Sequence, residues 1–284
     1  MDRPDLRVPD RRHVETPARR TRGGTAWREF GAGEPLVLLH GGAGSWLHWV
    51  RNVDALAERF RVIAVDCPAY GDSEPVPEDI TDEGYLELLR GEIGEMIGDA
   101  PRVHFAGFSF GGYIAPQMAV RFGARSASLS MTGGAGYGPP EGRPFTLDSK
   151  RRLARRLGRQ PTADELCAMD RDNLAKLMLW DEAAIDDWAV DMQRRNVERT
   201  RFDSRRLSWC EGTPELIGRL SCPVMVVYGE HDAAAIPPPA ERFERCRAAR
   251  PDVVTRLIPE CGHWAMYETP EVMNRLMLDF HSRA

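Results

Sequence analysis

The string Gly107-Phe108-Ser109-Phe110-Gly111 offers a serine hydroxyl in a setting where it could act as a nucleophile. A G-x-S-x-G string is frequent by chance. Its chemistry requires a strand that runs into a helix through a turn sharp enough to lift the hydroxyl above a sheet. Here a strand-like run over 103–106 precedes the serine and a helical pattern over 113–122 follows it. The two glycines leave room for strand and helix to approach, and the helix N-terminus brings partial positive charge to a developing oxyanion. A serine hydroxyl is too weak an acid to attack at neutral pH, so a base must take its proton and a third group must orient that base. Of seven histidines, His263 alone lies in a loop between a late strand-like run, VTRLIP, and a terminal amphipathic segment. A carboxylate that orients the base is best held at a strand end, where the backbone fixes its position. The segment VMVVYGEHD at 224–232 meets this requirement and offers both Glu230 and Asp232.

These groups need a scaffold that brings distant segments together. Residues 25–39 read as a strand, the turn GAGEP and a short apolar strand over 35–39, of the kind buried on both faces of a sheet. An amphipathic segment over 50–60, with Val53, Leu56, Ala57 and Phe60 at helical spacing, leads to a strand at 62–65. Helical periodicity over 85–97 is followed by the strand at 103–106, the helix at 113–122 and a strand at 126–131. Strands alternating with helices imply a mostly parallel sheet flanked by helices. The stretch GGAGYGPPEGRP at 133–144 ends the alternation, and 148–209 carries only helical signals. Strand signals return at 223–228 and 253–258, before a last helix over 270–281. The expected organisation is a core from 1–135 and 216–284 interrupted by a helical lid over 136–215, with a flexible segment of roughly twenty residues at the N-terminus.

Composition narrows the function classes. With 284 residues, 42% of them apolar, one large core with an insertion suffices. No apolar run approaches the roughly 18 residues of a membrane span. The opening MDRPDLRVPDRRH is charged and proline-rich, unlike a secretory leader, so a cytoplasmic location is expected. The six cysteines, at 67, 167, 210, 222, 246 and 261, include no CxxC pair and no zinc-finger spacing, so reduced thiols are expected and no metal site is signalled. A net charge of −5 argues against nucleic acid or anionic lipid as the main partner. Arginine doublets such as 151–152 and 194–195 are mostly interleaved with acids and read as solvated faces. A small-molecule substrate is the expected partner, with homo-oligomerisation left open.

From about residue 22 onward the sequence resembles the α/β-hydrolases, and the resemblance rests on four motifs in one order. The loop HGG at 40–42, directly after a buried strand, is similar to that family's oxyanion loop. The resemblance implies that the backbone N–H groups of Gly42 and Phe110 stabilise the oxyanion. DCPAYGDS at 66–73 resembles the family segment D-x-P-G-x-G-x-S, with Ala69 in place of the usual glycine. The string ECGHWAMYE resembles the surroundings of the catalytic histidine, and the family's G-x-x-D spacing from Gly229 selects Asp232 over Glu230. The family commonly has a proline seven residues past that glycine, whereas here the first is Pro237, one position later. The implied order Ser109, Asp232, His263 is the chain order of this fold, and it implies a serine hydrolase with no metal or organic cofactor. The serine at the elbow disfavours the branches that use an aspartate nucleophile.

Substrate signals are thinner. The expected lid supplies Met178, Trp180, Trp188 and Met192, either as an acyl pocket or as its own core. Trp188, Met192 and Arg195 fall at i, i+4 and i+7, so one helix face would present two apolar groups and a guanidinium to a carboxylate-bearing substrate. The alternative is a surface pair between Asp191 and Arg195. His40, within the HGG loop, and Trp264, after the histidine, are the other expected neighbours of the substrate. Trp264, HGGAGS and GHWAMYETPEVMNRLMLDF resemble the branch of carbon-carbon hydrolases that act on vinylogous diketones from aromatic ring cleavage. The first expectation is hydrolysis of a carboxylic ester or lactone, with carbon-carbon cleavage as the alternative. A non-catalytic ligand-binding member of the fold is the reading from another class. Three intact reactive groups argue against it.

Overall fold

The computed structural model describes residues 15–284; the first fourteen positions, His13 among them, lie outside the described residues. Eight strands form one sheet in the order β1-β2-β4-β3-β5-β6-β7-β8. They are β1 (Arg19–Arg20), β2 (Ala26–Phe30), β3 (Pro35–Leu39), β4 (Arg61–Val65), β5 (Val103–Phe108), β6 (Ser126–Thr132), β7 (Val224–Gly229) and β8 (Val254–Ile258). The two pairings of β2 are antiparallel and every other pairing is parallel. Strand periodicity divides β3 between two cores: Leu36 and Leu38 pack with Val62 and Ala64 on one face, Val37 and Leu39 with Ile63 and Val65 on the other.

The helices that cover the first half are α1 (Val53–Ala57), α2 (Asp82–Ile97) and α3 (Phe110–Phe122). Between β6 and β7 the described chain is helical: α4 (Lys150–Leu157), α5 (Ala163–Leu177), α6 (Asp187–Glu198), α7 (Arg205–Ser208) and α8 (Thr213–Gly218). After β7 come α9 (Pro239–Ala249), α10 (Ala265–Glu268) and α11 (Pro270–His281).

One expectation needs correction. The amphipathic segment over 50–60 is not one helix but a 3-10 turn at Trp46–Trp49 followed by the five-residue α1. Asn52 interrupts it: its side-chain amide donates to Met266 O and Asn274 Oδ1, fastening this stretch to the C-terminal helices instead of capping α1. Within the first twenty residues, Arg19 and Arg20 form β1, which pairs with β2, and Arg20 donates to Asp72 O at 2.6 Å. His104 and His281, which carry no sequence context, are buried braces. Ser128 Oγ lies 2.7 Å from His104 Nδ1 and 2.6 Å from His281 Nδ1, and burial pushes His281 down to about 3.

The loop after β4 contains the sequence departure at Ala69, whose φ is 64°. An L-residue there costs about 1–2 kcal/mol, which glycine avoids while losing part of the gain to its freer unfolded chain. Ala69→Gly is therefore expected to stabilise the protein by about 0.5–1 kcal/mol, a rise of roughly 1–3 °C in melting temperature. Calorimetry showing an unchanged or lowered midpoint would count against strain at this position.

Candidate active site

Ser109 sits between the end of β5 and the start of α3 with φ 51° and ψ −109°. The turn is tight enough to dictate its neighbour: a Cβ on Gly111 would come within 2.1 Å of Leu39 O, so strand β3 and helix α3 can meet only with glycine there. Serine at a helix N-cap ordinarily accepts a bond from the first-turn amides. Ser109 occupies the N-cap of α3 and its side chain caps nothing, leaving the hydroxyl free above the sheet.

That hydroxyl faces a cavity of about 350 Å³ that Gly42, Phe110 and His263 also line. His263 is carried by the loop between β8 and α10, and its Nδ1 lies 2.8 and 2.9 Å from the two carboxylate oxygens of Asp232, with both side chains buried. A proton on Nδ1 satisfies this contact and leaves Nε2 as an acceptor. Asp232 Oδ1 is held in turn by Ala234 N–H at 2.9 Å. Gly133, at φ 57°, backs the ring; a Cβ there would stand 2.8 Å from His263 Cε1. Ser109 and His263 line the same cavity, with no direct hydrogen bond between their side chains among the described residues. Glu230 is not near the imidazole: its carboxylate accepts from Glu260 N–H at 3.2 Å.

The loop at 40–44 is fixed from behind. His40 Nδ1 donates to Gly41 O at 2.7 Å and its Nε2 accepts Cys67 N–H at 3.0 Å, so the ring bridges the ends of β3 and β4. His48 Nδ1 accepts Gly41 N–H at 3.1 Å, and burial lowers the basicity of both rings, keeping them neutral. The amides of Gly42 and Phe110 next to this brace have no acceptor among the described residues.

A single carboxylate ties the helical segment to the histidine loop. Glu268 accepts from Trp180 N–H at 2.8 Å, Asp181 N–H at 2.6 Å and Gly262 N–H at 2.6 Å, while Trp264 N–H donates to Met178 O at 2.7 Å. Burial raises the Glu268 pKa against the opposing effect of these donors.

Comparison with known proteins agrees with this architecture. The sequence profile of the alpha/beta hydrolase family matches residues 36–276. The chain belongs to the α/β-hydrolase family. A 2-hydroxy-6-oxononadienedioate/2-hydroxy-6-oxononatrienedioate hydrolase from Paraburkholderia phymatum is 30% identical over 271 residues, covering 91% of this chain and 92% of the relative. Among solved structures, a naproxen esterase from Bacillus subtilis superposes with a TM-score of 0.73 at 22% identity, covering 94% of this chain and 92% of the other. A meta-cleavage product hydrolase from Pseudomonas fluorescens gives 0.68 at 21% identity, with coverage of 91% and 94%. Similarity at this level to solved structures shows the fold.

Within this α/β hydrolase, Met178 lines the cavity as one of the possible pocket residues, whereas His40, Trp188, Met192, Arg195 and Trp264 are not among the lining residues. Arg195 pairs with Asp191 at 3.0 Å on the surface, with about half of each side chain exposed (51% and 46%), so the surface-pair alternative holds. Met192 is buried among Leu174, Ala189 and Val190, and Trp188 packs against the same core. Trp264 is a strut: its indole N–H donates to His48 O at 2.9 Å and its ring stacks on Tyr267. His40 acts as the brace described above. The helical segment does reach the cavity through Leu177 and Met178. Sequence reasoning missed Arg143 and Arg242, which line the cavity and are near enough to each other for their charges to interact. Arg143 lies in a breaker-rich stretch without periodicity, and Arg242 is masked by the alternating charges of AERFERC, so neither had a usable signal. Among the described residues, no group of three His, Cys, Asp or Glu is arranged to hold a metal ion, and no helix is long and apolar enough to cross a membrane.

Proposed function

We propose that this α/β hydrolase cleaves a small-molecule carboxylic ester through an acyl-enzyme on Ser109. The observation that carries the reading is a free serine hydroxyl sharing one cavity with a buried histidine-carboxylate pair and two unoccupied amides. In the first half-reaction His263 Nε2 takes the Ser109 proton as Oγ attacks the carbonyl carbon. The amides of Phe110 and Gly42 bind the oxyanion, and removing one such donor costs on the order of 10² to 10³ in rate. Collapse expels the alcohol, which receives its proton from His263, and water repeats the sequence to release the acid. Asp232 keeps the proton on Nδ1 and stabilises the imidazolium. An ester needs one proton shuttle, and among the residues lining the cavity His263 is the group free to serve, since Asp203 is held by Arg205 at 2.7 and 2.6 Å.

A second reading, cleavage of a carbon-carbon bond beside a ketone in a vinylogous diketone, is favoured by the names of the relatives at 28–30% identity. The same serine chemistry would act on it after an added ketonisation step. The test is labelling with a fluorophosphonate, followed by assay of short-chain 4-nitrophenyl esters beside a 2-hydroxy-6-oxo-dienoate. Labelling of folded protein with ester turnover is expected. No labelling would remove the serine-hydrolase reading, and turnover of the dienoate with inert esters would replace the ester by the carbon-carbon bond.

A further inference from the structure

The charges lining the cavity do not cancel. Asp203 and Arg205 pair with each other, and Asp232 is engaged by His263. Arg143 and Arg242 remain, and neither makes an ion pair with a carboxylate among the described residues. Arg242 is 5% exposed and rigidly held. Its guanidinium donates to Pro237 O at 2.8 Å, Gly134 O at 2.7 Å, Ile236 O at 2.9 Å and Tyr228 OH at 3.1 Å, beneath the Tyr137 ring at 4.5 Å. Every acceptor is neutral, so the positive charge is fixed in place; the carboxylate that favours it from nearby, Asp232, is already engaged by His263. Arg143 is half-buried, and its Nε–H is shielded from solvent with no acceptor. Burial and the neighbouring Arg242 charge both disfavour its own charge, while Asp232 partly offsets them.

A cation removed from water without a counter-charge is costly, and that cost is relieved by whatever anion arrives. We propose that Arg143, backed by the fixed charge of Arg242, is the site for a carboxylate on the substrate, making this a hydrolase selective for anionic esters. Arg143 supplies the open guanidinium fork, whose planar donors match a carboxylate. Arg242 adds potential at the same wall without needing to touch the ligand. The inference rests on the acyl-enzyme reading for turnover, but anion binding itself does not require the serine.

Two matched ester pairs test it: mono-4-nitrophenyl glutarate against 4-nitrophenyl pentanoate, charged on the acyl side, and 4-acetoxybenzoate against phenyl acetate, charged on the alcohol side. One charged ester is expected to exceed its neutral match by about 10- to 100-fold in kcat/KM, the range for a charge-assisted hydrogen bond. Arg143→Gln should bring that ratio close to one, and Arg143→Glu should invert it. Neutral esters preferred in both pairs, or a ratio unmoved by Arg143→Gln, would overturn the proposal. Calorimetric titration of Ser109→Ala with free glutarate and with 4-hydroxybenzoate separates the two readings. If no ester turns over, the hydrolase reading fails. The anion site then stands if either ligand binds and Arg143→Gln in that background weakens it tenfold or more, and falls otherwise.

Discussion

Ser109→Ala reduces ester turnover by about 10⁵- to 10⁶-fold and abolishes fluorophosphonate labelling, while the protein stays folded. The effect is large because the nucleophile acts as a unit with its base: without Oγ there is nothing for His263 to deprotonate, and only the oxyanion donors and the cavity remain. Stability is expected to change little. The Ser109 hydroxyl makes no capping bond in the fold, and alanine tolerates φ 51° no worse than serine does. The measurements are steady-state hydrolysis, gel-based labelling and a thermal melt on the same preparation. Retention of more than about a hundredth of wild-type activity in a folded variant would mean that another group attacks.

Asp232→Asn is expected to lower kcat by about 10⁴-fold with little change in the structure around it. The carboxylate accepts from His263 Nδ1 through both oxygens and from Ala234 N–H. An amide of the same shape still offers one acceptor, which Ala234 can claim. Its NH₂ then faces the ring and can be satisfied only if Nδ1 loses its proton. The proton moves to Nε2, the atom that must accept from Ser109, and the base is blocked in the wrong tautomer. Glu230→Gln is the matched control, because that side chain contacts Glu260 N–H away from the ring. If the Glu230 variant loses more activity than the Asp232 variant, the assignment of the acid is wrong.

The strand positions were largely readable because buried parallel strands write themselves as short apolar runs: the boundaries of β3 are those read from PLVLL, and β4 through β8 shift by no more than two residues. The start of α3 was not readable, since Gly111 and Gly112 hide the periodicity and the helix begins at Phe110 rather than at Tyr113. The reacting groups were legible because each sits in a local string tied to a strand end, where chemistry constrains residue type. Apart from Met178, the substrate neighbours were not, because helix periodicity identifies an apolar face without saying what it packs on. Met192 turned inward to Leu174 and Val190, and Arg195 found Asp191. Arg242 was illegible for the converse reason: three of its four acceptors are backbone carbonyls, from 134, 236 and 237, which no side-chain pattern reports.

The Glu268 contacts also bear on how the cavity can be reached. Because one carboxylate grips the amides of Trp180, Asp181 and Gly262 together, that end of the helical segment and the turn bearing the imidazole are tied to each other. Lifting it would carry His263 out of register with its acid, so a molecule arriving there would meet a disarmed catalyst. Pro140, Leu147 and Trp209, which also line the cavity, make no hydrogen bond to the histidine loop among the described residues, so entry beside them would leave the relay standing.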